Sequence, residues 1–217
     1  LIMTAIVITS TFIITYFLEQ NGAFAGLSDT GKIIASGFHA TVSRNAGFCT
    51  IPTNLLSDAT LVWTMLIMFI GGAPGSTAGG IKVTTLAVII ATLHSASVDR
   101  KETIIFKRSI SNIIVRDALV ILNVYLLTIF LGILFVSICE VGADNITLKD
   151  IAFEVVSATT TTGLSTGITT QLTAWSKFWL VLCMFCGRLG PLTIVMTLAR
   201  RTANFYNKYP EENLTVG

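Results

Sequence analysis

The chain has 217 residues, of which 53% are hydrophobic and only 12% are charged, and its formal net charge is +2. Soluble domains carry about 25% charged residues, so this composition excludes an ordinary soluble domain and indicates an integral membrane protein. The few Lys and Arg residues cluster at the edges of apolar runs, which argues against a nucleic-acid-binding surface.

One apolar span and one half-length segment are predicted at the start of the chain. Residues 1–18 are apolar from the first residue and no basic segment precedes them, so we expect a membrane span and no signal peptide. Because Leu1 is not a start methionine, we also expect an upstream part to be missing. Residues 31–43 are too short and too polar to cross about 30 Å of hydrocarbon at about 1.5 Å per residue, which favours a re-entrant half-helix.

A long apolar stretch over residues 59–97 contains a glycine-rich break. As one straight helix, its 39 positions would extend roughly 58 Å, about twice the thickness of the bilayer core. The break lies at residues 71–85, GGAPGSTAGGIKVTT, and non-helical backbone at membrane depth requires protein or a water-filled cavity around it. We therefore predict an intramembrane gate there, with a close helix-packing surface of small residues as the alternative. The predicted gating residues are Gly71, Gly72, Gly75, Gly79, Gly80, Lys82 and Arg188.

The second half of the chain repeats this order of segments. Residues 98–117 form a polar segment with five Lys or Arg residues, and residues 118–139 are an uncharged span of 22 residues. A second half-helix is predicted at 147–157, followed by a second long apolar stretch at 173–199. The bias of Lys and Arg towards cytoplasmic loops places the basic segment and the C-terminal tail, 204–217, in the cytoplasm.

A glycine-centred loop follows each predicted half-helix, on the outer side. Residues 43–52, SRNAGFCTIP, form the first glycine loop around Gly47, and residues 157–169, SATTTTGLSTGIT, form the second around Gly163. A dehydrated cation needs a ring of carbonyl oxygens, and glycine permits the backbone angles that aim them in one direction. We therefore predict an ion-selectivity filter, with ordinary extracellular turns as the alternative. The predicted filter residues are Asn45, Ala46, Gly47, Phe48, Thr161, Thr162, Gly163 and Leu164.

Two charged side chains lie within the apolar stretches. Arg188 is about 15 residues into the last stretch, where a charge is costly unless it faces the pore or a polar partner. A structural salt bridge is the alternative reading of Arg188, although the sequence offers few acidic partners. Lys82 either positions the glycine-rich break or extends towards the cytoplasm.

Other polar residues in these stretches are interpreted as structural. Ser57 and Thr173 each lie ten positions after a loop glycine and are predicted to cap the helix that follows. Cys183 and Cys186 form a C-x-x-C pair with no further ligands nearby, which favours packing over metal or redox chemistry. Glu154, on the second half-helix, is assigned no role.

Four motifs follow one another along the chain: SRNAGFCTIP, SDATLVWTMLIMFIGGAPGSTAGGIKVTT, FEVVSATTTTGLSTGIT and GRLGPLT. In this order they resemble the Trk/Ktr/HKT superfamily of potassium transporters, and bacterial Trk/Ktr membrane subunits in particular. Members carry four span–pore–span repeats, and this chain resembles the third at residues 1–97 and the fourth at residues 118–203. The resemblance implies a gate at the glycine-rich break and an Arg188 that projects into the pore beneath the filter. The family usually has Thr at Asn45 and an aromatic–Gly pair at Thr159-Thr160.

We therefore predict an all-α membrane protein with two tandem span–pore-helix–filter-loop–span repeats. The predicted function is potassium uptake across the cell membrane, with K⁺ as the transported ion, no cofactor and no enzymatic activity. One chain supplies two of four pore walls, so it needs the missing N-terminal half or a second copy of itself. The resemblance implies a homodimer in the lipid bilayer and a cytoplasmic nucleotide-binding regulatory subunit under the basic segment.

Other functions stay open at this stage. Sodium or mixed monovalent-cation transport is one alternative, and a truncated, non-conducting assembly subunit is another. A third is an intramembrane serine protease, because Ser76 and His94 are expected to share a helix. That third alternative lacks a glycine-flanked serine in a G-x-S-x motif.

Overall fold

The computed structural model describes residues 2–98, 102–105, 108–143 and 146–189, and this part of the chain is mainly helical. Several of the helices are connected by loops that carry the glycine-containing motifs of the sequence. The elements in chain order are α1 (Ile2–Glu19), α2 (Asp29–Val42), α3 (Asp58–Phe69), α4 (Val83–Ser97), strands β1 (Thr103–Ile105) and β2 (Arg108–Ile110), α5 (Asn112–Cys139), α6 (Leu148–Thr159) and α7 (Ala174–Leu189).

α1 and α5 carry their large apolar side chains on the outside of the molecule. Both helices are long and apolar enough to cross a membrane, with mean hydropathies of 1.7 and 2.7. Their inward faces are narrow: α1 buries every fourth residue, namely Val7, Thr11, Thr15 and Glu19. Small and polar residues therefore face the protein while bulky apolar residues face outwards, which is the packing pattern of membrane helices.

The basic segment predicted at residues 98–117 differs from a plain loop. β1 and β2 pair as an antiparallel hairpin in which Thr103 lies opposite Ile110. The hairpin packs on α4, where Thr92 Oγ1 lies 3.4 Å from Thr103 Oγ1. The described structure is thus helical with one small two-stranded sheet added, a departure from the all-α prediction.

α5 is longer than the apolar span predicted at 118–139, because it begins at Asn112. Ser111 has the extended backbone of an N-cap and starts the helix within the polar segment. The 28 residues of α5 extend about 42 Å, more than the hydrocarbon thickness of about 30 Å. The polar first turns therefore project beyond the apolar span on the side of the hairpin.

α2 and α6 are half-length helices. They have 14 and 12 residues, about 21 and 18 Å of helix, so neither crosses a bilayer core of about 30 Å. Ser28 caps α2 by accepting a hydrogen bond from the Gly31 N–H, and Thr147 and Asp150 form a reciprocal capping box on α6. From Ile151 onwards α6 is almost fully buried, and it contributes to two separate hydrophobic clusters. α6 is the packing centre of the described structure.

The apolar stretch at 59–97 forms two helices, α3 and α4, joined by a non-helical glycine-rich loop at residues 70–82. The base of this loop is closed by a parallel bridge between Ile70 and Ile81. The Ile81 N–H donates to the carbonyl of Phe69 at 2.9 Å. The end of α3 and the start of α4 therefore lie side by side at the base of the loop.

The predicted caps of α3 and α7 are formed, because Ser57 and Thr173 each accept a hydrogen bond from the amide three residues later. A buried glutamate fastens each cap. Glu19 accepts from the Ser57 N–H at 2.9 Å, and Glu140 accepts from the Thr173 N–H at 2.8 Å. Burial alone would raise the pKa of Glu140, but hydrogen bonds from Ser176 and Thr173 outweigh it and hold that pKa below its usual value.

The described part of α7 ends at Leu189. The remainder of the apolar stretch predicted at 173–199, the end of the motif GRLGPLT and the tail at 204–217 lie outside the described residues. Arg100, Lys101 and Lys107 of the basic segment lie outside them as well.

Candidate functional site

The two glycine loops are 116 positions apart in sequence and touch at their glycines. Gly47 and Gly163 both have positive φ, +68° and +89°. A Cβ added to Gly47 would lie 2.6 Å from the carbonyl oxygen of Thr162 and 3.2 Å from Gly163 Cα. Both positions therefore need the left-handed backbone that glycine allows, and Gly47 also needs the absence of a side chain.

Each glycine loop begins where a half-helix ends. The carbonyl ends of α2 and α6 carry partial negative charge, which favours a cation nearby. At the end of α6 the backbone turns tightly, since the Thr162 N–H donates to the Ser157 carbonyl at 3.0 Å. Within the described residues, Thr161 is the one non-glycine residue with positive φ, +54°. Such strained backbone is most often found at functional sites.

Among the eight predicted filter residues, the structure brings Gly47 into contact with Thr162 and Gly163 of the second loop. The side chains of the two loops are not equivalent at matching positions. Phe48 is 72% exposed, whereas Leu164, at the corresponding position of the second loop, is 4% exposed and packs in the core. The two loops therefore share positive φ at their glycines but differ in the surroundings of the side chain that follows.

The glycine-rich loop is packed tightly around most of its glycines. A Cβ on Gly71, Gly72, Gly79 or Gly80 would come within 3.0 Å of a neighbouring atom. Gly75 is different, because a Cβ there meets nothing within 4 Å, although its φ of +82° still favours glycine. The loop tip at Gly75 thus has free space that the rest of the loop lacks.

The glycine-rich loop contacts both glycine loops. The Gly79 N–H donates to Thr161 Oγ1 at 3.1 Å, and Gly79 is packed against the Thr160 carbonyl. Arg44, at the end of α2, donates from Nη2 to the Gly71 carbonyl at 2.9 Å. Movement of the glycine-rich loop would therefore change contacts of the predicted filter residue Thr161 and of Arg44, which directly precedes the first predicted filter residue.

Two cationic side chains hold the glycine-rich loop from its cavity side. Lys82 Nζ donates to the Ala78 carbonyl at 2.5 Å and to the Ser76 carbonyl at 3.2 Å, so it bends back onto the loop. Arg188 Nη1 donates to the Thr77 carbonyl at 2.6 Å. Both side chains line a cavity of about 450 Å³ between the glycine-rich loop, α5 and α7. No salt bridge of Arg188 is present among the residues that the structure describes.

The serine protease alternative is not supported by the geometry, because Ser76 lies in the glycine-rich loop and His94 lies on α4. Ser76 lines the cavity beside Arg188, whereas His94 lines an apolar groove near the start of α1. No hydrogen bond joins Ser76 to His94 in the described part of the chain. Cys183 and Cys186 are both free thiols on α7, and no cluster of metal-ligating side chains occurs within the residues described.

The sequence reasoning missed three glutamates that hold this region together. Glu19 and Glu140 fasten the caps of α3 and α7, and Glu154 lies buried behind the second glycine loop. For Glu19 and Glu140 a signal was available, because each is an acidic residue at the end of an apolar span, ahead of a pore loop. For Glu154 the available signal was an acid within residues 151–156, which are otherwise apolar.

A known protein family matches most of the chain. The family model for TrkH, described as "Cation transport protein", matches residues 1–208. This chain belongs to that family. Membership of the TrkH family implies a location in a membrane, which agrees with the two apolar spans α1 and α5.

Several curated relatives are identical to this TrkH-family chain at about a third of the aligned residues. The Ktr system potassium uptake protein B of Bacillus subtilis is 37% identical over 217 residues, covering 100% of this chain and 47% of the relative. The potassium/sodium uptake protein NtpJ of Enterococcus hirae is 35% identical over 220 residues, covering 99% of this chain and 48% of the relative. The chain therefore spans about half the length of the curated relatives it matches.

A solved structure shares the fold. The crystal structure of the potassium transporter TrkH from Vibrio parahaemolyticus matches with a TM-score of 0.69 and 18% sequence identity. The match covers 94% of this chain and 44% of the solved chain. Both comparisons agree that the sequence corresponds to about half of a longer transporter fold.

Proposed function

We propose that this chain forms two neighbouring walls of a pore that carries potassium ions into the cell. The observation that carries the proposal is the contact between Gly47 and Gly163 at the carbonyl ends of two half-length helices. Half-helices that end at a shared point direct their partial negative charge to that point, which attracts a cation. Relatives named as potassium uptake proteins support the choice of ion.

The selectivity filter in this proposal consists of Asn45–Phe48 and Thr161–Leu164. Backbone carbonyls in these two strips replace the water shell of a dehydrated potassium ion. The positive φ values at Gly47 and Gly163 support this role, because they allow successive carbonyls to point the same way. Two tandem span–pore-helix–filter-loop–span repeats, at residues 1–97 and 118–203, supply the two strips.

The gate in this proposal is the glycine-rich loop with Lys82 and Arg188. Lys82 supports the loop from within, and Arg188 ties its tip to α7 through the Thr77 carbonyl. Arg188 also places a positive charge at the cavity between the glycine-rich loop, α5 and α7. A passing cation is repelled by that charge, so Arg188 limits leak until the loop and the guanidinium move.

The complete transporter in this proposal has four walls. This chain supplies two, and the remainder comes from an N-terminal half or from a second copy of the chain. Two such transporters form a homodimer in the cell membrane, with the basic segment and C-terminus in the cytoplasm, where a nucleotide-binding regulatory subunit docks. The half-length coverage of the relatives supports the need for further walls.

Mixed potassium and sodium transport is the second candidate function. The name of the relative NtpJ, a potassium/sodium uptake protein, favours it. The experiment is tracer rubidium uptake by the complete transporter in vesicles, with potassium or sodium as competitor. Stronger competition by potassium supports a potassium transporter, and equal competition supports the mixed one. If wild-type vesicles take up no tracer, the conducting function is wrong and a non-conducting assembly subunit is favoured.

A further inference from the structure

Glu154 is a buried carboxylate directly behind the second glycine loop. It lies on α6 and is only 6% exposed. Ser165, which follows the predicted filter residue Leu164, donates its hydroxyl hydrogen bond to Glu154 Oε1. The backbone of Thr166 and the side chain of Thr169 face the same carboxylate. One side chain therefore contacts the chain immediately after the filter at several points.

The groups around Glu154 form a connected network. Ser165 Oγ accepts from the Gly167 N–H at 2.9 Å and lies 3.0 Å from Thr169 Oγ1. A buried carboxylate is stable only when donors replace its lost water, and hydrogen bonds to a charged acceptor are the stronger kind. The network thus ties residues 165–169 to the centre of α6.

No salt bridge accounts for Glu154 in the part of the chain that the structure describes. Arg188 lines the same cavity, of about 410 Å³, but its guanidinium donates to the Thr77 carbonyl of the glycine-rich loop. The donors to Glu154 come from residues 165–169. The carboxylate is therefore committed to the second glycine loop and not to the gate.

The first glycine loop has no such carboxylate at the matching place. Phe38, Cys49 and Thr53 lie 116 positions before Glu154, Ser165 and Thr169. These three residues line a narrow crevice together with Phe24 and Leu164. Within the described residues, the hydrogen bonds of a buried carboxylate therefore support the second glycine loop and have no counterpart at the first.

We propose that Glu154 is a positioning residue for ion selectivity, which fastens residues 165–169 so that the carbonyls of Thr161–Leu164 keep the spacing that suits potassium. The proposal rests on the proposed function, because it assigns a role within that filter. A filter whose outer end is loose can contract around a smaller ion, so weaker fastening lowers the preference for potassium over sodium. Glu154 itself does not touch the ion.

The first test is amide hydrogen exchange on the complete transporter in detergent. Glu154→Ala removes the acceptor, so amides in residues 165–169 should exchange about tenfold faster than in the wild type, because local opening becomes easier. Asp150→Asn is the matched control: it removes a carboxylate charge from the same helix, but Asp150 takes part in none of the hydrogen bonds of Glu154. Unchanged exchange at residues 165–169 in Glu154→Ala would overturn the proposal.

The second test is competition between potassium and sodium for tracer rubidium uptake, per correctly inserted molecule. In Glu154→Ala we expect the potassium-to-sodium preference to fall roughly tenfold, equivalent to about 1.4 kcal/mol. Glu154→Gln keeps one carbonyl acceptor and should fall in between, whereas Asp150→Asn should keep the wild-type ratio. An unchanged ratio in Glu154→Ala, despite faster exchange, would overturn the role in selectivity.

Two further outcomes separate this inference from the proposed function. If Glu154→Ala does not insert, Ser165→Ala carries both tests, with Cys49→Ala at the matching position of the first glycine loop as its control. A wild-type transporter that moves no monovalent cation overturns the proposed function. In that case the exchange comparison alone still decides whether Glu154 fastens the second glycine loop.

Discussion

The contact between the glycine-rich loop and the second glycine loop predicts that Gly79→Ala disturbs the filter. A Cβ at Gly79 would lie 2.4 Å from the carbonyl oxygen of Thr160 and 2.6 Å from Thr161 Oγ1. To restore an ordinary contact of 3.4 Å, the Thr160 carbonyl oxygen must retreat by about 1.0 Å, the difference between 3.4 and 2.4 Å. The group that must move is the backbone carbonyl of Thr160, which directly precedes the predicted filter residue Thr161. The displacement therefore cannot be absorbed by a flexible side chain.

Overpacking of this kind costs about 1–3 kcal/mol. The expected result of Gly79→Ala is a lower potassium uptake and a lower preference for potassium over sodium, measured in vesicles per inserted molecule. Gly75→Ala is the matched control. Its Cβ meets nothing within 4 Å, and its φ of +82° confines the strain, about 1–2 kcal/mol, to the loop tip.

Gly75→Ala should therefore change uptake without changing ion preference. The reasoning is refuted if Gly79→Ala and Gly75→Ala have the same potassium-to-sodium ratio as the wild type. It is also refuted if Gly75→Ala alone alters that ratio. Expression and insertion, followed by size-exclusion chromatography, separate loss of transport from loss of folded protein.

Three further predictions concern the filter, the gate and a helix cap. Gly163→Ala forces an alanine to φ near +89°, which costs about 1–2 kcal/mol, so uptake or selectivity should collapse while insertion survives; wild-type selectivity would contradict the filter assignment. Arg188→Ala should raise cation flux per inserted molecule, because it removes both the positive charge and the bond to Thr77; lower flux with lower expression would favour a structural role. For Glu140, whose pKa is lowered, the stabilisation is present above the ordinary carboxyl value of 4.5 and is lost as pH falls through the folded value. The thermal unfolding temperature of the wild type should therefore fall below about pH 4.5, and in Glu140→Gln it should depend less on pH. Identical pH profiles of the unfolding temperature in the two proteins would contradict the cap assignment.

Features set by short-range chemistry were predictable from the sequence. Ser57 and Thr173 are caps because a side-chain oxygen at the start of a helix meets the amide three residues on, whatever lies further away. The separation of α3 from α4 follows from five glycines and a proline within an apolar stretch. The half-length of α2 and α6 follows from counting residues against bilayer thickness.

Features that depend on distant partners were not predictable in this way. Gly79 and Thr161 are separated by 82 positions, and no periodicity indicates that an amide of one meets the hydroxyl of the other. The partners of Glu154 could not be predicted, because its donors follow it by 11 or more positions and are brought back to it by a strained turn. The start of α5 at Asn112 could not be read from the apolar span 118–139, because hydropathy marks the span whereas helical hydrogen bonding continues into the polar segment before it.

The closed base of the glycine-rich loop determines which contacts contribute to the free energy of opening a gate formed by this loop. Because the bridge between Ile70 and Ile81 keeps α3 and α4 joined, displacement of the tip needs no helix to unwind. The side-chain contacts to be broken are the Gly79–Thr161 hydrogen bond, worth about 1 kcal/mol, and the charged ones from Lys82 and Arg188, worth about 2 kcal/mol each. A closed state held by about 5 kcal/mol reaches equal populations with the open state only when a ligand binds the open state roughly 4,000-fold more tightly. A regulatory ligand must therefore distinguish strongly between the closed and open positions of this loop.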